Sequence, residues 1–188
     1  MTPPATLTPA ENRWVFTLNA LAGTTRNFHL GGQAEASYGF GVEGGHLAEV
    51  GLGYQYLRGL GKPKRLQAYP EEKGINADFF EGHVPSLGLA YTVAIFPKAG
   101  LGIFGNLGYA FLHENRDTQK SDGGTLRVES EYPSNAGLSF QLGLQATYNF
   151  WGPLSADLRA GVHSLPPIWP HDPRDMGAQF QLGAKAMF

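Results

Sequence analysis

Hydrophobic and polar residues alternate with a period of two along most of this chain, which is the period of a β-strand. In the longest run, 135–150, apolar residues occupy every even position from Ala136 to Phe150, and Asn, Gly, Ser, Gln and Thr occupy the odd ones. A helix would scatter these apolar residues around its whole circumference. The alternation therefore predicts strands. Applied throughout, it gives eight segments, at 13–23, 34–43, 47–58, 84–96, 101–113, 134–150, 154–165 and 176–188.

The connections between these segments alternate between short turns and long loops. The turns have three or four residues, at 44–46, 97–100 and 151–153. The loops have ten to twenty-five residues, at 24–33, 59–83, 114–133 and 166–175. Short turns on one rim and long loops on the other are typical of an up-and-down antiparallel barrel. We predict an all-β barrel over 13–188, preceded by a flexible arm over 1–12.

The alternation alone leaves open which face of the barrel points inward. In a soluble ligand-binding barrel of the lipocalin type the apolar face lines the interior, whereas in a membrane barrel it faces lipid. The polar face is rich in glycine, as a narrow eight-stranded lumen requires, and we expect the apolar face to carry no charge within the strands. Aromatic residues gather near strand ends, as in membrane-interface girdles. The candidate interface aromatics are Trp14, Tyr54, Tyr56, Tyr109, Phe111, Tyr148, Phe150 and Trp151.

These features favour an eight-stranded antiparallel transmembrane β-barrel with short periplasmic turns and long extracellular loops. The composition is compatible with it and excludes several other classes. The absence of cysteine excludes disulfides. The chain has no run of 18 apolar residues, so the sequence predicts no membrane-spanning helix. The net charge of −2 gives no sign of the basic surface that nucleic-acid-binding proteins have. The mean hydropathy of −0.22 is that of a soluble chain, but it averages one apolar face and one polar face.

The last segment, 176–188, alternates and ends on Phe188 in the apolar phase. It resembles the C-terminal strand of bacterial outer-membrane barrels, in which a terminal aromatic residue belongs to the signal read by the assembly machinery. Together with the eight segments, it makes 13–188 resemble the small OmpA-, OmpX- and OmpW-like barrels, although 186–188 depart from the closing aromatic–basic pattern of OmpW-like proteins. The resemblance implies location in the bacterial outer membrane after removal of a signal peptide. It also implies contact with outer-membrane lipid or lipopolysaccharide.

Charged residues in the polar phase predict a network inside the lumen, because charges there must be paired or hydrogen-bonded. We expect it to centre on Arg159 and Lys185. Its candidate members are Glu35, Glu43, Glu49, Asp157, Arg159, His163 and Lys185. Such a network can be a proton or ion path, or an interior plug that fixes the strand register. We favour the plug, because eight strands leave no aqueous channel.

Two loops are candidates for contact with partners. In loop 59–83, cations lie beside aromatic residues and can bridge lipopolysaccharide phosphates, contact a partner or fold over the barrel mouth. The candidate contacts are Lys62, Lys64, Arg65, Phe79 and Phe80. Loop 114–133 is predicted to form an extended hairpin that turns at 121–124. Its edge could pair with a strand of a surface partner.

The sequence gives only weak evidence for a catalytic or a metal site. The segment Ser134–Ala136 resembles the serine segment of outer-membrane lipid A deacylases, but those have a His two residues before the Ser, where this chain has Tyr132. His171, Asp172 and Asp175 lack a regular ligand spacing. We therefore predict no catalytic residue, no metal site and no cofactor.

The function that these features favour is a non-porin outer-membrane barrel that anchors the envelope surface and presents extracellular loops for interaction or adhesion. One alternative is a narrow conduit for small hydrophobic compounds, as the OmpW-like resemblance allows. Two further alternatives are a lipid-modifying outer-membrane enzyme and a soluble lipocalin-type binder.

Overall fold

The structure of the chain is a computed structural model. It describes residues 12–25, 28–42, 44–59, 80–114, 116–122, 125–131, 134–167 and 175–188. Within these ranges the chain forms ten strands: β1 Arg13–Gly23, β2 His29–Val42, β3 His46–Gly59, β4 Phe80–Phe96, β5 Ala99–Glu114, β6 Arg116–Asp122, β7 Thr125–Glu131, β8 Ser134–Trp151, β9 Leu154–Leu165 and β10 Asp175–Met187. The described residues contain no helix that could span a membrane.

Eight strands form a closed antiparallel barrel in the order β1-β2-β3-β4-β5-β8-β9-β10, with β10 pairing again with β1. The predicted fold is therefore confirmed. The first and last strands close the barrel at the turn rim, where Trp14 and Phe188 exchange two backbone hydrogen bonds of 2.9 Å. The seam between β1 and β10 thus begins at the last residue of the chain.

The predicted extended hairpin is also present. Strands β6 and β7 pair antiparallel as a separate two-stranded sheet between β5 and β8, with Arg116 opposite Glu131 and Asp122 opposite Thr125. Residues 123–124, which belong to the predicted turn, lie outside the described residues. In the described residues, β6 and β7 pair only with each other and not with any strand of the barrel.

Two strands begin at least four residues earlier than the alternation predicts. β2 starts at His29 rather than at 34, so the predicted loop 24–33 is wrong at its second half. Gly32 interrupts the apolar phase there, which hid the start of the strand from the alternation. Gly31 beside it is required by the packing, because a Cβ on Gly31 would lie 1.9 Å from the Tyr56 carbonyl oxygen. β4 likewise starts at Phe80 rather than at 84.

Two of the three short turns depend on glycine. Gly44 and Gly45 have φ values of 84° and 81° between β2 and β3, and Gly152 has a φ of 48° between β8 and β9. Side chains are strained at such angles, whereas glycine adopts them freely. The three glycines therefore allow tight reversals at the rim opposite the long loops.

The apolar face of the barrel points outward and the polar face points inward. Leu52 and Leu144 are 71% and 67% exposed, whereas Arg159 and Lys185 are 1% and 2% exposed. A lipocalin-type barrel has the opposite arrangement, so that alternative is excluded. The outer wall is the surface of a transmembrane barrel, because only lipid covers so much apolar area at low cost.

Candidate functional site

An ion-pair cluster lies in the lumen towards the turn rim. Arg159 on β9 places Nη1 2.8 Å from Glu35 Oε2 on β2, and its Nε 2.8 Å from Asp157 Oδ2. Asn19 on β1 donates to the same Asp157 oxygen at 3.1 Å and to Gln181 Oε1 at 3.2 Å. All five side chains are buried. The cluster connects four strands, β9, β10, β1 and β2, across the closing seam.

A second ion pair lies closer to the turn rim. Lys185 Nζ on β10 is 2.5 Å from Glu49 Oε1 on β3, and the Ser37 hydroxyl donates to the other oxygen of Glu49 at 3.3 Å. Both charged side chains are buried. A cavity of about 140 Å³ opens beside Lys185 at this end of the barrel, with Thr92 and Ser155 in its lining.

Amide side chains fill the middle of the lumen. Gln55 donates to Gln33 at 3.0 Å and to Gln141 at 2.9 Å, and Gln141 donates to Gln179 at 2.8 Å. Asn106 adds a bond of 3.0 Å to the Gln141 oxygen. This layer connects β2, β3, β5, β8 and β10, so it crosses the barrel interior from wall to wall.

The loop end of the lumen is closed by an apolar cluster. Its buried members are Leu21, Leu57, Phe80, Val84, Ala110, Leu112 and Leu165. Two buried histidines, His29 and His163, also lie at the loop end with ring centroids 6.5 Å apart, and His163 is 3.0 Å from the Ser139 hydroxyl. From the turn rim to the loop rim, the described side chains of the interior are therefore ion pairs, then amides, then histidines together with hydrocarbon.

One large aromatic side chain in the lumen was missed by the sequence analysis. Phe104 is buried, and the Arg159 guanidinium carbon lies 5.2 Å from its ring centroid, within range of a cation–π interaction. The ring fits because Gly143 and Gly161 lie opposite each other on β8 and β9. A Cβ on Gly143 would approach the ring to 2.8 Å.

The structure brings six of the seven predicted network residues into the lumen. Glu35, Asp157 and Arg159 form one cluster, Glu49 and Lys185 form the second, and His163 stands apart near the loop end. Glu43 lies outside the described residues. The network is thus two separate ion-pair groups rather than one centred on both cations.

The predicted interface aromatics all point outward and divide between the two rims. Trp14, Tyr148, Phe150 and Trp151 lie at the turn rim, and Tyr54, Tyr56, Tyr109 and Phe111 lie towards the loop rim. Tyr109 is opposite Leu138 on β8, and Tyr148 follows ten residues later on the same strand. Ten residues at about 3.3 Å, tilted by roughly 35–45°, span about 23–27 Å, close to the apolar band of roughly 25 Å in membrane barrels.

The expectation of a charge-free outer wall is wrong at the loop rim. Arg58 and Glu81 continue the outward phase of β3 and β4, where Arg58 is exposed and Glu81 half-buried. Arg58 is the last residue of the predicted segment 47–58 and lies in its apolar phase, so the sequence already contained this exception, whereas Glu81 belonged to the predicted loop 59–83. Arg58, Glu81, His113 and Ser134 are successive Cα partners on β3, β4, β5 and β8, and we call these four outward residues the rim row.

Two further outward rows lie below the rim row on the same four strands. The nearer row is aromatic, with Tyr56, His83, Phe111 and Ala136 as successive partners. The lower row is hydrocarbon, with Leu52, Leu87, Leu107 and Phe140. Tyr56 of the aromatic row donates a hydrogen bond of 3.1 Å to Glu81 of the rim row. Tyr54, which lies between the aromatic and hydrocarbon rows, has its hydroxyl 2.5 Å from Nδ1 of His83.

The predicted loop contacts have different outcomes. Phe80 is not a loop residue: it begins β4 and is 3% exposed, because it packs inward against the apolar cluster and stacks edge-on to His29 at 6.0 Å. Lys62, Lys64, Arg65 and Phe79 lie outside the described residues. Their proposed contacts with lipid or a partner stay predictions.

The structure gives Ser134 a neighbour that the sequence did not show. His113 is its Cα partner across β5 and β8, and both side chains are exposed. Among the described residues, however, neither side chain forms a hydrogen bond. A nucleophile and its base need hydrogen-bond contact in a productive complex. His171 and Asp172, considered as metal ligands, lie outside the described residues.

The chain matches no protein-family model and no curated protein sequence. Its structure, however, is similar to those of solved outer-membrane proteins. A major outer membrane protein from Thermus thermophilus superposes with a TM-score of 0.64 at 16% identity, over 93% of this chain and 99% of that chain. Neisserial surface protein A superposes with a TM-score of 0.52 at 9% identity, over 94% of this chain and 97% of that chain.

A third similar structure is Ail, the attachment invasion locus protein of Yersinia pestis, in complex with the heparin analogue sucrose octasulfate. It superposes with a TM-score of 0.52 at 17% identity, over 96% of this chain and 100% of that chain. These three proteins share the complete barrel with this chain. The chain therefore has the fold of the small eight-stranded outer-membrane barrels.

Proposed function

We propose that this protein is an integral outer-membrane barrel that conducts no ions and presents its β6–β7 sheet at the cell surface for interaction or adhesion. The observation that carries the proposal is a lumen crossed by two ion-pair groups, an amide layer and an apolar cluster, combined with a separate two-stranded sheet outside the pairing of the barrel strands. A lumen obstructed in this way supports an anchor, and a sheet edge outside the barrel supports pairing with another chain.

The outer wall supports the membrane location. Leucine, isoleucine and aromatic side chains cover it between the two aromatic rims. In the orientation that we propose, the short turns face the periplasm and β6–β7 faces outward. Ail, which has a similar fold, is described by its name as an attachment protein, and this agrees with the adhesive role.

The conduit alternative has less support. A path for small hydrophobic compounds through the barrel would have to cross the ion pairs of Arg159 and Lys185 and the apolar cluster at the loop end. An enzymatic role also has less support, because Ser134 and His113 are neighbours without a hydrogen bond between them. We propose no cofactor for either role.

Two measurements test the proposal. The purified chain in planar bilayers should give no discrete single-channel steps, and such steps would contradict the anchor role. Cells that display the full chain should adhere to epithelial monolayers more than cells that display a variant in which 116–131 is replaced by a short Gly-Ser linker. Equal adhesion at equal surface levels would remove the proposed role of β6–β7.

A further inference from the structure

The β6–β7 sheet has two edges, and their sequences differ. In the described residues each of the two strands pairs only with the other, so the second edge of each strand has no described strand beside it. Such edges can pair with another chain, and proteins protect them with charged residues. β6 is charged at four of its seven positions and has no apolar residue, whereas β7 is charged at three and contains Leu126 and Val128. The edge of β7 is therefore the better candidate for pairing.

The register within the sheet places a cation, and not an anion, opposite Arg127. Arg127 is the Cα partner of Lys120, and Glu129 is the Cα partner of Thr118. Like charges directly opposite each other on neighbouring strands destabilise a sheet, whereas opposite charges stabilise it. A two-stranded sheet is also only marginally stable by itself. The sheet would therefore gain from a further strand that places an anion opposite Arg127 and a cation opposite Glu129.

A second copy of β7 is such a strand. When two copies pair antiparallel about a two-fold axis with Val128 opposite Val128, all seven positions overlap, and Arg127 of each copy lies opposite Glu129 of the other. Positions 126 and 128 of both copies then share one face of the joint sheet, because successive residues of a strand alternate between faces. Equivalent residues keep the same face, so the register can shift only by two. Either shift shortens the overlap and places Arg127 opposite Arg127, or Glu129 opposite Glu129.

The direction of β7 determines which membranes the two copies occupy. β5 ends at Glu114 and β6 begins at Arg116, while β7 ends at Glu131 and β8 begins at Ser134. The Glu131 end of β7 therefore leads into the barrel. Antiparallel pairing puts the two Glu131 ends at opposite ends of the joint sheet, so the two barrels lie on opposite sides of it. Two barrels side by side in one membrane would bring their β7 strands together in parallel instead.

We propose that β7 pairs antiparallel with β7 of a second copy of this chain in an apposed membrane, centred on Val128, so that the barrel mediates self-recognition between two cell surfaces. The inference rests on the proposed surface role of the β6–β7 sheet and names its partner. The joint sheet has four strands, in the order β6-β7-β7-β6. The contact is the same on both copies and closes by symmetry, so it joins two copies and does not propagate.

The edge of β6 is the competing site for a second copy. With Gln119 opposite Gln119, Arg116 of each copy would lie opposite Asp122 of the other. These charge pairs fall at the two ends of the strand, where pairing is weakest, and the centre of β6 contributes no apolar residue. Asp122 therefore provides the control that separates the two edges.

The test uses the full chain with one barrel in each lipid nanodisc, and sedimentation velocity measures the pairing of discs. Arg127→Glu and Glu129→Arg should each weaken self-association by about ten-fold, because each turns two attractive charge pairs into repulsive ones. The matched control is Asp122→Arg, which makes the same charge change on β6 as Glu129→Arg makes on β7. It should change the association by less than about two-fold.

Mixing the two variants gives the sharpest result. Discs with Arg127→Glu carry two acids at the centre of β7, and discs with Glu129→Arg carry two bases, so each variant repels itself but complements the other. A mixture should therefore associate about as strongly as the unaltered chain. The double variant Arg127→Glu with Glu129→Arg should also recover self-association, because the opposing charges have only exchanged places. A heat-modifiable shift on a denaturing gel confirms that each variant keeps the barrel.

The proposal is overturned if unaltered discs stay single, if neither the mixture nor the double variant recovers association, or if Asp122→Arg weakens association as much as Glu129→Arg does. The last outcome would assign the contact to β6. If unaltered discs stay single but cells that display residues 116–131 still adhere better to epithelial monolayers than the linker variant, only self-recognition fails. If adhesion is also equal, the proposed surface role of the sheet fails with it.

Discussion

Arg159 Nη1 on β9 lies 2.8 Å from Glu35 Oε2 on β2, with β10 and β1 between the two strands. Lys185 and Glu49 span the same seam one strand further round, from β10 to β3. Each pair joins residues more than 120 positions apart in sequence. The two ion pairs therefore cross the β1–β10 seam at which the chain closes the barrel, and they hold β9 and β10 against β2 and β3.

Replacement of Arg159 by Leu should strongly lower the stability of the barrel. The substitution leaves Glu35 and Asp157 without their cation in a buried site, and removal of one partner from a buried pair costs about 3–5 kcal/mol. Urea unfolding in detergent, followed by the gel shift, measures the effect. Lys98→Leu, which removes an exposed cation, is the control. An unchanged unfolding midpoint for Arg159→Leu would contradict the structural role of the cluster.

Lys185 and Glu49 should show coupled effects on stability. Lys185→Met leaves the Glu49 carboxylate buried with the Ser37 hydroxyl as its remaining hydrogen-bond donor among the described residues, whereas Lys185→Met combined with Glu49→Gln removes both charges. We expect the double variant to be more stable than Lys185→Met alone, with a coupling of about 1–3 kcal/mol. Additive effects in the double-mutant cycle would mean that the two groups do not stabilise each other.

Gly143→Ala should destabilise the barrel, although alanine is the smallest replacement. Its Cβ would lie 2.3 Å from the Ala160 carbonyl oxygen and 2.8 Å from the Phe104 ring, and overpacking of this kind typically costs about 1–3 kcal/mol. Gly105→Ala is the matched control, because a Cβ there points outward with its nearest atom 3.6 Å away. The comparison of their urea midpoints should separate the two. Equal midpoints would show that the lumen tolerates movement of Phe104.

Much of this fold could be predicted from the sequence, because one physical pattern governs it. Each strand separates lipid from a narrow lumen, so the period-two alternation gives the eight barrel strands. The glycine-rich polar phase and the aromatic girdles then give the inward face, with six buried members of the lumen network. The strand starts were less predictable. Gly32 interrupts the apolar phase of β2, and at Gly31 beside it the Tyr56 carbonyl leaves no room for a side chain, yet both residues belong to the strand.

The partners of the lumen charges could not be read from the alternation. The ion pair between Arg159 on β9 and Glu35 on β2 depends on the stagger of the strands in the closed barrel, which cannot be read from any single strand. The apolar cluster was missed for another reason: Leu57, Leu112 and Leu165 lie in the polar phase. Consecutive apolar residues such as Tyr56-Leu57 and Phe111-Leu112 were the available signal, because in a strand one residue of such a pair must face inward.

The outer wall predicts a depth dependence for charged substitutions. Leu144 is exposed on β8 four residues before Tyr148, near the middle of the apolar band, so Leu144→Arg should cost about 2–4 kcal/mol in a lipid bilayer. Phe150→Arg places the same charge at the turn rim and should cost only about 0–1 kcal/mol. Refolding equilibria in vesicles measure both. Equal costs would mean that the band is not positioned between the two aromatic rims.

Phe188 should act in assembly rather than in stability. Its side chain is 73% exposed, with one edge-on aromatic contact to Phe16 at 6.3 Å, while its backbone exchanges two hydrogen bonds with Trp14. Phe188→Ala keeps the backbone bonds, so refolding in detergent should give a urea midpoint close to that of the unaltered chain. Deletion of Phe188 removes these bonds and should loosen the seam in vitro.

In cells, the same two variants should behave differently from their behaviour in detergent. If the terminal aromatic ring is read by the assembly machinery, Phe188→Ala should lower the amount of heat-modifiable barrel in the outer membrane almost as much as the deletion does. Phe188→Tyr keeps an aromatic ring at the terminus and serves as the control, with near-normal levels. Normal membrane levels of Phe188→Ala would show that the ring carries no assembly signal, and an equally large loss of stability in detergent would assign it a packing role instead.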